Sequence, residues 1–340
     1  MIFVLLFLLM ASPCWAAEDP PQKPGDAFHG PLLQRNDNPL YLAFGSTILS
    51  DRADTGEPGR WRWNADYLNS NTIVDQHDDS EADHVVVDAE VQRFELTLKR
   101  ALTQRLEFGT AIAYVAIGSG FSDSFIESFE EGVGAASVGA RDGRGENEFR
   151  YLFRVDGVNQ IDRQDETIHG LTDIPLQLKF QFRDGQEGFL PRVSARGMLK
   201  LPTATDSLLG NQAVDGGVGL LAEQPAGKKL LFLGNIEVVS VHAPRPLKNL
   251  DLDPVMVSGT VGFEHRLTQR ASWQLQWRGA TNPYPEFNEQ MTALTRTPMS
   301  IGFGWNYRLF RTASLRLTLM ENLFSSDPDF AWGFSIRSER

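Results

Sequence analysis

Ser240 and His242 are the two residues whose types and spacing come nearest to a catalytic pair. They lie two positions apart in an apolar segment, and residues two apart in a strand share one face. A serine hydroxyl beside a histidine base is the pair that ester hydrolysis uses. No third residue that would orient the histidine can be identified from the sequence. Ester hydrolysis is therefore the weakest of the functions considered, and we predict that the protein is not an enzyme.

Ten charged residues at alternating positions form a second candidate site. They would line the inner wall, or lumen wall, of the barrel that the strand pattern described below predicts. The acidic members fall on the first three strand segments and the basic members on the next two: Asp66, Asp88, Glu90, Glu95, Glu107, Lys179, Arg183, Arg192, Arg196 and Lys200. Walls of opposite charge in a water-filled pore would select ions. The same residues could instead form a structural network of salt bridges, and the sequence leaves both interpretations open.

A third candidate is an amphipathic stretch in the long segment between Gly118 and Leu171. Its apolar residues have helical spacing and predict one short helix in an outer loop: Phe121, Phe125, Ile126 and Phe129. Such a helix could act as a lid or plug at a pore mouth, or contact an apolar ligand. We favour the alternative that it packs on its own loop as structural cover.

Metal and cofactor chemistry finds little support. The remaining histidines lack metal-ligand spacing, and the stretch Gly132 to Gly145 lacks the Lys-Ser/Thr ending of a phosphate-binding loop. Cys14 is the only cysteine, so the mature chain has no disulfide and no cysteine-ligated metal. A net charge of -12 argues against a nucleic-acid partner. We predict no metal and no cofactor.

The N-terminus predicts export. The apolar run Ile2 to Met10 is too short to span a bilayer and precedes small residues suited to signal peptidase. We expect a signal peptide at residues 1–16, a lead segment at 17–59 and a barrel at 60–340. Glu18 to Gly30 is rich in proline and charge, which predicts disorder.

From Arg60 to the C-terminus, twelve segments of about ten residues alternate apolar and polar side chains, the length that a tilted strand needs to cross a bilayer. Six tryptophans lie on the apolar face, as expected at lipid headgroups: Trp61, Trp63, Trp273, Trp277, Trp305 and Trp332. Because only a closed sheet satisfies its hydrogen bonds in lipid, the pattern predicts an all-β fold, a closed antiparallel transmembrane β-barrel of about twelve strands.

Three details refine this prediction. A barrel of fourteen strands is the runner-up, with Leu40–Leu49 and Phe149–Val155 as additional through-strands. The alternation changes phase near Gln92, which predicts a β-bulge. Short and long connections alternate, as expected for periplasmic turns and outer loops.

Three segments resemble a known family. They are Gly30 to Tyr41, Gly120 to Phe129, and Leu199 to Thr203. They resemble a family of Gram-negative outer-membrane barrels of unknown function, which is distantly similar to barrels associated with aromatic-degradation (meta-pathway) operons. The resemblance implies location and fold, and it supplies no catalytic residues.

Together these observations predict a passive outer-membrane channel or transporter for small solutes. A non-conducting structural or surface-interaction barrel is the alternative, and a lipid-modifying enzyme is the weaker one. The expected partners are outer-membrane lipids, lipopolysaccharide, the barrel-assembly machinery and a small solute.

Overall fold

A computed structural model of the chain describes residues 28–45, 50–121, 148–185, 190–284, 287, 289–310, 312–324 and 326–338. The predicted signal peptide at residues 1–16 lies outside these ranges. Among the described residues, no helix is both long and apolar enough to cross a membrane.

Strands dominate the described part of the chain. In chain order they are β1 (Trp61–His77), β2 (His84–Ala101), β3 (Leu106–Gly118), β4 (Arg150–Val155), β5 (Val158–Gln164), β6 (Ile168–Leu171), β7 (Ile174–Arg183), β8 (Arg192–Leu201), β9 (Asp215–Ala226), β10 (Leu230–Ser240), β11 (Val255–Arg266), β12 (Ala271–Ala280), β13 (Met299–Phe310), β14 (Ala313–Asn322) and β15 (Phe330–Ser338). Among the described residues, two one-turn α-helices, α1 (Pro39–Leu42) and α2 (Thr292–Thr295), and a 3₁₀ helix (Arg245–Leu247) accompany them.

Twelve of the strands, all except β4 to β6, form a closed antiparallel barrel, which confirms the predicted architecture. Closure joins the first and last strands, with Asn64 opposite Arg337 and Asn71 opposite Phe330. Every barrel strand therefore has two hydrogen-bonded neighbours, as a membrane-spanning sheet requires.

The connections differ at the two ends of the barrel. Both ends of the barrel sequence, Trp61 and Ser338, lie at the end where neighbouring strands are joined by short turns. The longer connections, including residues 119–173 and 281–298, lie at the other end. In barrels of this type the short turns face the periplasm, so we call the two ends periplasmic and outer.

The fourteen-strand alternative is wrong. Phe149–Val155 contributes β4, which pairs with β5 and with the outer end of β2 rather than crossing the barrel. Residues 40–42 belong to helix α1 inside the barrel, and residues 46–49 lie outside the described residues. The described apolar residues of both segments pack in a cluster at the outer end, so their hydrophobicity does not mark membrane-spanning strands.

The predicted bulge near Gln92 is also wrong. The pairing of β2 with β1 runs without a register shift from Trp61 opposite Arg100 to His77 opposite His84. Val87 and Val91 point inward like Arg93, because the outer part of this strand faces an apolar cluster while its lower part faces a polar lumen. The polarity of the inner face therefore changes along the strand, while the backbone register stays the same.

The outer surface of the barrel is apolar and aromatic, as the alternation predicts. Tyr67 contacts three rings on neighbouring strands, those of Phe94, Trp332 and Phe334, with centroids 4.7, 5.6 and 5.3 Å away. Trp273 stacks near Phe303 in the same way. These rings form the face that lipid covers.

Candidate functional site

Residues 28–58 run through the inside of the barrel, and we call them the lumen segment (its residues 46–49 are not described). The segment starts near the periplasmic end, where Arg266 of β11 lies over the ring of Phe28. It rises to α1 at the outer end and descends again to Arg60 at the start of β1. The predicted disorder of Glu18 to Gly30 is wrong for residues 28–30, which are buried; residues 18–27 lie outside the described part.

The rising arm of the lumen segment is held by backbone hydrogen bonds to side chains of the wall. The backbone N–H groups of His29 and Gly30 both donate to the carboxylate of Glu264, at 2.9 Å. The N–H of Leu32 donates to Gln276 Oε1 at 3.0 Å. Such bonds give a segment without regular secondary structure the hydrogen-bond acceptors that its buried backbone N–H groups need.

Ion pairs continue this attachment further up. Arg35 donates to Glu95 at 2.6 Å, and Arg93 donates to Asp37 at 2.7 Å. Asp37, Arg93 and Glu95 are all buried. The wall and the lumen segment therefore neutralise each other, which buried charges require.

The descending arm carries the densest charge cluster, centred on Asp51. Its carboxylate lies 2.6 Å from Lys99 Nζ, 3.1 Å from Lys179 Nζ and 3.7 Å from Arg196 Nη1. Burial alone would raise the pKa of the Asp51 carboxyl, but these three cations hold that pKa well below its usual range. Asp51 is therefore ionised throughout the physiological pH range and anchors the arm.

Most of the ten predicted wall charges face the interior. Asp66, Glu95, Glu107, Lys179, Arg196 and Lys200 are buried there, Arg192 pairs with Glu223 at 3.2 Å, and Arg183 lies at the periplasmic mouth. Their positions are those of a lumen wall, and many of their partners belong to the lumen segment. Lys179 and Glu107 also pair across two strands, at 2.7 Å.

Asp88 and Glu90 depart from this arrangement. They occupy the face of β2 opposite to Arg93 and Glu95, because the strand has no bulge. Glu90 accepts hydrogen bonds from Asn69 and from the backbone N–H of Phe121, at 2.8 and 3.0 Å. The two residues were assigned to the lumen because the expected bulge would have turned them inward.

An apolar cluster fills the outer end. It combines α1 with strand ends and outer loops, and it includes Leu40, Tyr41, Phe44, Val87, Tyr151, Phe153, Leu209, Val241, Tyr284, Met291 and Leu294. The hydroxyl of Tyr151 donates to Pro39 O at 3.1 Å, and that of Tyr41 donates to Ala293 O at 2.9 Å. The outer loops and the tip of the lumen segment thus share one core, which we call the outer cap.

Below the outer cap lies a polar cavity of about 1040 Å³, between the lumen segment and the barrel wall. Its lining reaches the periplasmic mouth at Arg105 and Asp184, and it reaches the cap at Leu42, Met198 and Leu209. The cavity is large enough for a small organic molecule. Within the described part of the chain, the cavity extends to the periplasmic end of the barrel and is bounded by apolar residues at the outer end.

A family model described as a protein of unknown function (DUF3187) matches residues 7–338. The chain belongs to the DUF3187 family. A search of curated proteins finds no match. Among solved structures, the chain is similar to the COG4313 outer membrane channel from Pseudomonas putida F1, with a TM-score of 0.56 and 11% identity, over 86% of this chain and 99% of that chain. At this identity the likeness concerns the fold.

Two further structures overlap less well with the DUF3187 chain. The KdgM porin has a TM-score of 0.42 and 5% identity, over 81% of this chain and 98% of the porin. The toluene transporter TodX of P. putida has a TM-score of 0.37 and 11% identity, over 89% and 91% of the two chains.

Two of the segments that resemble the family acquire structural roles in the DUF3187 barrel. Gly30 to Tyr41 is the rising arm of the lumen segment, where Asn36 donates to Ser326 O and Asn38 caps α1. Leu199 to Thr203 ends β8, where Thr203 Oγ1 accepts from the N–H of Ile174 at 2.9 Å. The third, Gly120 to Phe129, is described only at its first two residues, so the predicted helix of Phe125, Ile126 and Phe129 lies outside the described part.

Ser240 and His242 do not form a catalytic pair in the DUF3187 structure. His242 Nδ1 lies 2.7 Å from Asp215 Oδ1, so an orienting carboxylate exists that the sequence did not reveal. However, no hydrogen bond joins Ser240 to His242 among the described residues, and Asp215 is already ion-paired with Lys200 at 2.7 Å. Within the same residues, no group of three or more His, Cys, Asp or Glu is placed to hold a metal ion.

Sequence reasoning missed the lumen segment's half of the charge pairs, namely Arg35, Asp37, Asp51, Arg52 and Asp54. A signal did exist. Within the predicted lead segment 17–59, charged residues lie on both sides of the apolar stretch Leu40–Leu49, and their signs complement those of the predicted wall.

Two glycines on β13 let the lumen segment approach the wall. A Cβ at Gly304 would overlap Leu32, and one at Gly302 would lie 3.0 Å from Leu32 Cδ1. We expect Gly304→Val to displace the rising arm and to lower the free energy of unfolding by about 1–3 kcal/mol. Urea unfolding in detergent micelles measures the loss.

Gly197→Val is the matched control, because a Cβ at Gly197 meets nothing within 4 Å. If both variants unfold at the same urea concentration as the unchanged chain, the close packing of Leu32 against β13 does not hold the segment.

Proposed function

We propose that the protein is a passive outer-membrane channel for small solutes, in which the lumen segment controls the passage. The observation that carries the proposal is the polar cavity of about 1040 Å³ between the lumen segment and the wall. The lumen segment already fills part of the interior, and a purely structural barrel has no need for the space that remains. The fold shared with the COG4313 outer membrane channel supports the same function.

The route follows from the arrangement of the cavity and the outer cap. Solute in the cavity meets charged side chains below and apolar residues above. To leave at the outer end it has to pass α1, which the cap and the lumen segment share. Conduction therefore requires the tip of the lumen segment to move, and the segment acts as the gate.

A disulfide between the lumen segment and the wall tests this gate. Ser50 Oγ and Thr260 Oγ1 are 2.7 Å apart, and both side chains are close in size to cysteine. Cys14 is the only natural cysteine, and the predicted cleavage removes it. We expect the oxidised Ser50→Cys/Thr260→Cys variant to conduct several-fold less than the unchanged chain in planar bilayers, and reduction to restore the current.

The single variants Ser50→Cys and Thr260→Cys serve as controls and should conduct normally under both conditions. Equal currents in the oxidised and reduced double variant, with the disulfide verified by mass, would show that solute passes without movement of the descending arm. A gate that needs the descending arm to move would then be excluded, although the channel would remain.

The second candidate function is a non-conducting barrel whose outer loops act at the cell surface. The ion pairs of Asp37 and Asp51 and the apolar core of the outer cap favour it, because the ion pairs attach the lumen segment to the wall and the cap blocks the outer end. The same recordings separate the two functions. A folded barrel that is silent before and after release of the disulfide favours the second.

A further inference from the structure

The cavity is lined by far more basic than acidic side chains. Thirteen Lys and Arg residues line it, against six Asp and Glu residues. This excess contrasts with the net charge of -12 for the whole chain. Several of these cations are neutralised by carboxylates outside the lining, such as Arg93 by Asp37 and Arg192 by Glu223. Other cations of the lining form hydrogen bonds only with neutral groups.

Arg316 and Arg337, on β14 and β15, are such cations. Arg316 donates from Nε to Asn306 Oδ1 at 2.6 Å, from Nη1 to Pro31 O, and from Nη2 to Gly30 O at 2.7 Å and to Gln274 Oε1 at 3.3 Å. Arg337 donates from Nη1 to His29 O at 2.6 Å. Each acceptor is neutral, and no salt bridge involves either guanidinium among the described residues.

The carboxylates whose charges act on both Arg316 and Arg337 are those of Glu264 and Asp66. Glu264 accepts from the backbone N–H groups of His29 and Gly30 and pairs with the His29 ring at 3.1 Å. Asp66 accepts from Asn64 Nδ2 at 2.6 Å. Both contribute to the field on this side of the cavity, but neither forms an ion pair with Arg316 or Arg337.

The two guanidinium groups share one wall with a third. Arg308 on β13 is opposite Ser314, and Ser314 is opposite Arg337. Arg316 lies two residues further along β14, and all three arginines line the cavity. Three cations therefore face the same water-accessible space from three adjacent strands.

A charge that is buried without an opposite charge is costly, and a mobile anion can supply that charge. The planar guanidinium matches a carboxylate through paired N–H···O bonds. We propose that this wall binds small organic carboxylates, with Arg337 as the primary contact and Arg316 and Arg308 beside it. Carboxylates would then be the solute class of the proposed channel. Their transport rests on that proposed function, whereas their binding to this wall is independent of it.

Calorimetric titration of the mature protein in detergent tests the binding. The probes are succinate, its neutral diamide succinamide, and the cation 1,4-diaminobutane. We expect succinate to bind and the other two not to bind. Arg337→Gln should weaken succinate at least tenfold, and Arg316→Gln/Arg337→Gln should abolish the signal. Arg100→Gln is the matched control, because Arg100 lies at the same end but on the outer face, over the Trp61 ring.

The half-buried Arg337 keeps the test decisive if Arg316→Gln fails to fold, which heat-modifiable gel migration reports. Absence of succinate binding, or binding that Arg337→Gln leaves unchanged, would overturn the proposal. Reversal potentials in a salt gradient separate it from the proposed function. A barrel that conducts but selects cations would contradict carboxylates as the solute class and would leave the proposed channel function intact. A barrel that binds succinate through Arg337 but does not conduct would confirm the binding site and contradict the channel function.

Discussion

Removing residues 28–58 is expected to convert the protein into a permanently open pore with a conductance several-fold above that of the full mature chain. A barrel of twelve strands encloses more space than its own side chains fill, and here the lumen segment occupies that space. The deletion also removes α1 and hence the floor of the outer cap. The polar cavity would then continue into the space that the segment leaves.

The deletion leaves wall charges such as Lys99, Lys179 and Glu223 without their partners Asp51 and Arg52. In an open pore these charges are hydrated, so we expect the barrel to fold and to show noisier, wider currents. The control is a chain that begins at residue 28 after the same export signal and so keeps the whole lumen segment. If the two chains conduct equally in planar bilayers, the outer loops rather than the lumen segment close the pore.

The membrane-spanning strands could be predicted because each carries its own evidence. On β13, Ile301, Phe303 and Trp305 alternate with Gly302 and Gly304 within a single segment. Lipid imposes the same requirement on every strand, so the apolar face repeats without reference to the rest of the chain. Strand number followed from counting these repeats.

The alternation failed where the strands leave the bilayer. Val85, Val87 and Val91 on β2 face inward because the outer cap offers an apolar partner there. The inner face is therefore polar opposite the lumen segment and apolar opposite the cap. A local pattern cannot distinguish a change in what the inner face contacts from a change of strand register. For that reason the predicted lumen position of Asp88 and Glu90 is wrong.

The lumen segment could not be predicted, because its order depends on partners distant in the chain. Its proline, asparagine and charged residues have no strand or helix period, which resembles disorder. Its contacts nevertheless join residues far apart, as His29 with Glu264 across 235 positions. Only the closed barrel brings these partners together. The sequence therefore revealed the residues that the wall contributes to the ion pairs, and not those of the lumen segment.

The second large effect is expected for Lys200, which is fully buried between two carboxylates. Its Nζ lies 3.0 Å from Asp173 Oδ2 and 2.7 Å from Asp215 Oδ2, and all three side chains are inaccessible to solvent. Asp173 also accepts from the N–H of Ala204 at 2.8 Å, so the network ties the loop after β8 to the wall. We expect Lys200→Met to lower the free energy of unfolding by about 3–5 kcal/mol, because it leaves two buried charges without a cation.

Urea unfolding in micelles, followed by tryptophan fluorescence, measures this loss. The exposed Lys248 gives the control, and Lys248→Met should change stability by less than about 0.5 kcal/mol. Adding Asp215→Asn to Lys200→Met should recover part of the loss, since one buried charge disappears with its partner. Full recovery is not expected, because His242 also depends on Asp215 and the Asp173 carboxylate still lacks its cation. A loss below about 1 kcal/mol for Lys200→Met would mean that water reaches this network and hydrates the two carboxylates.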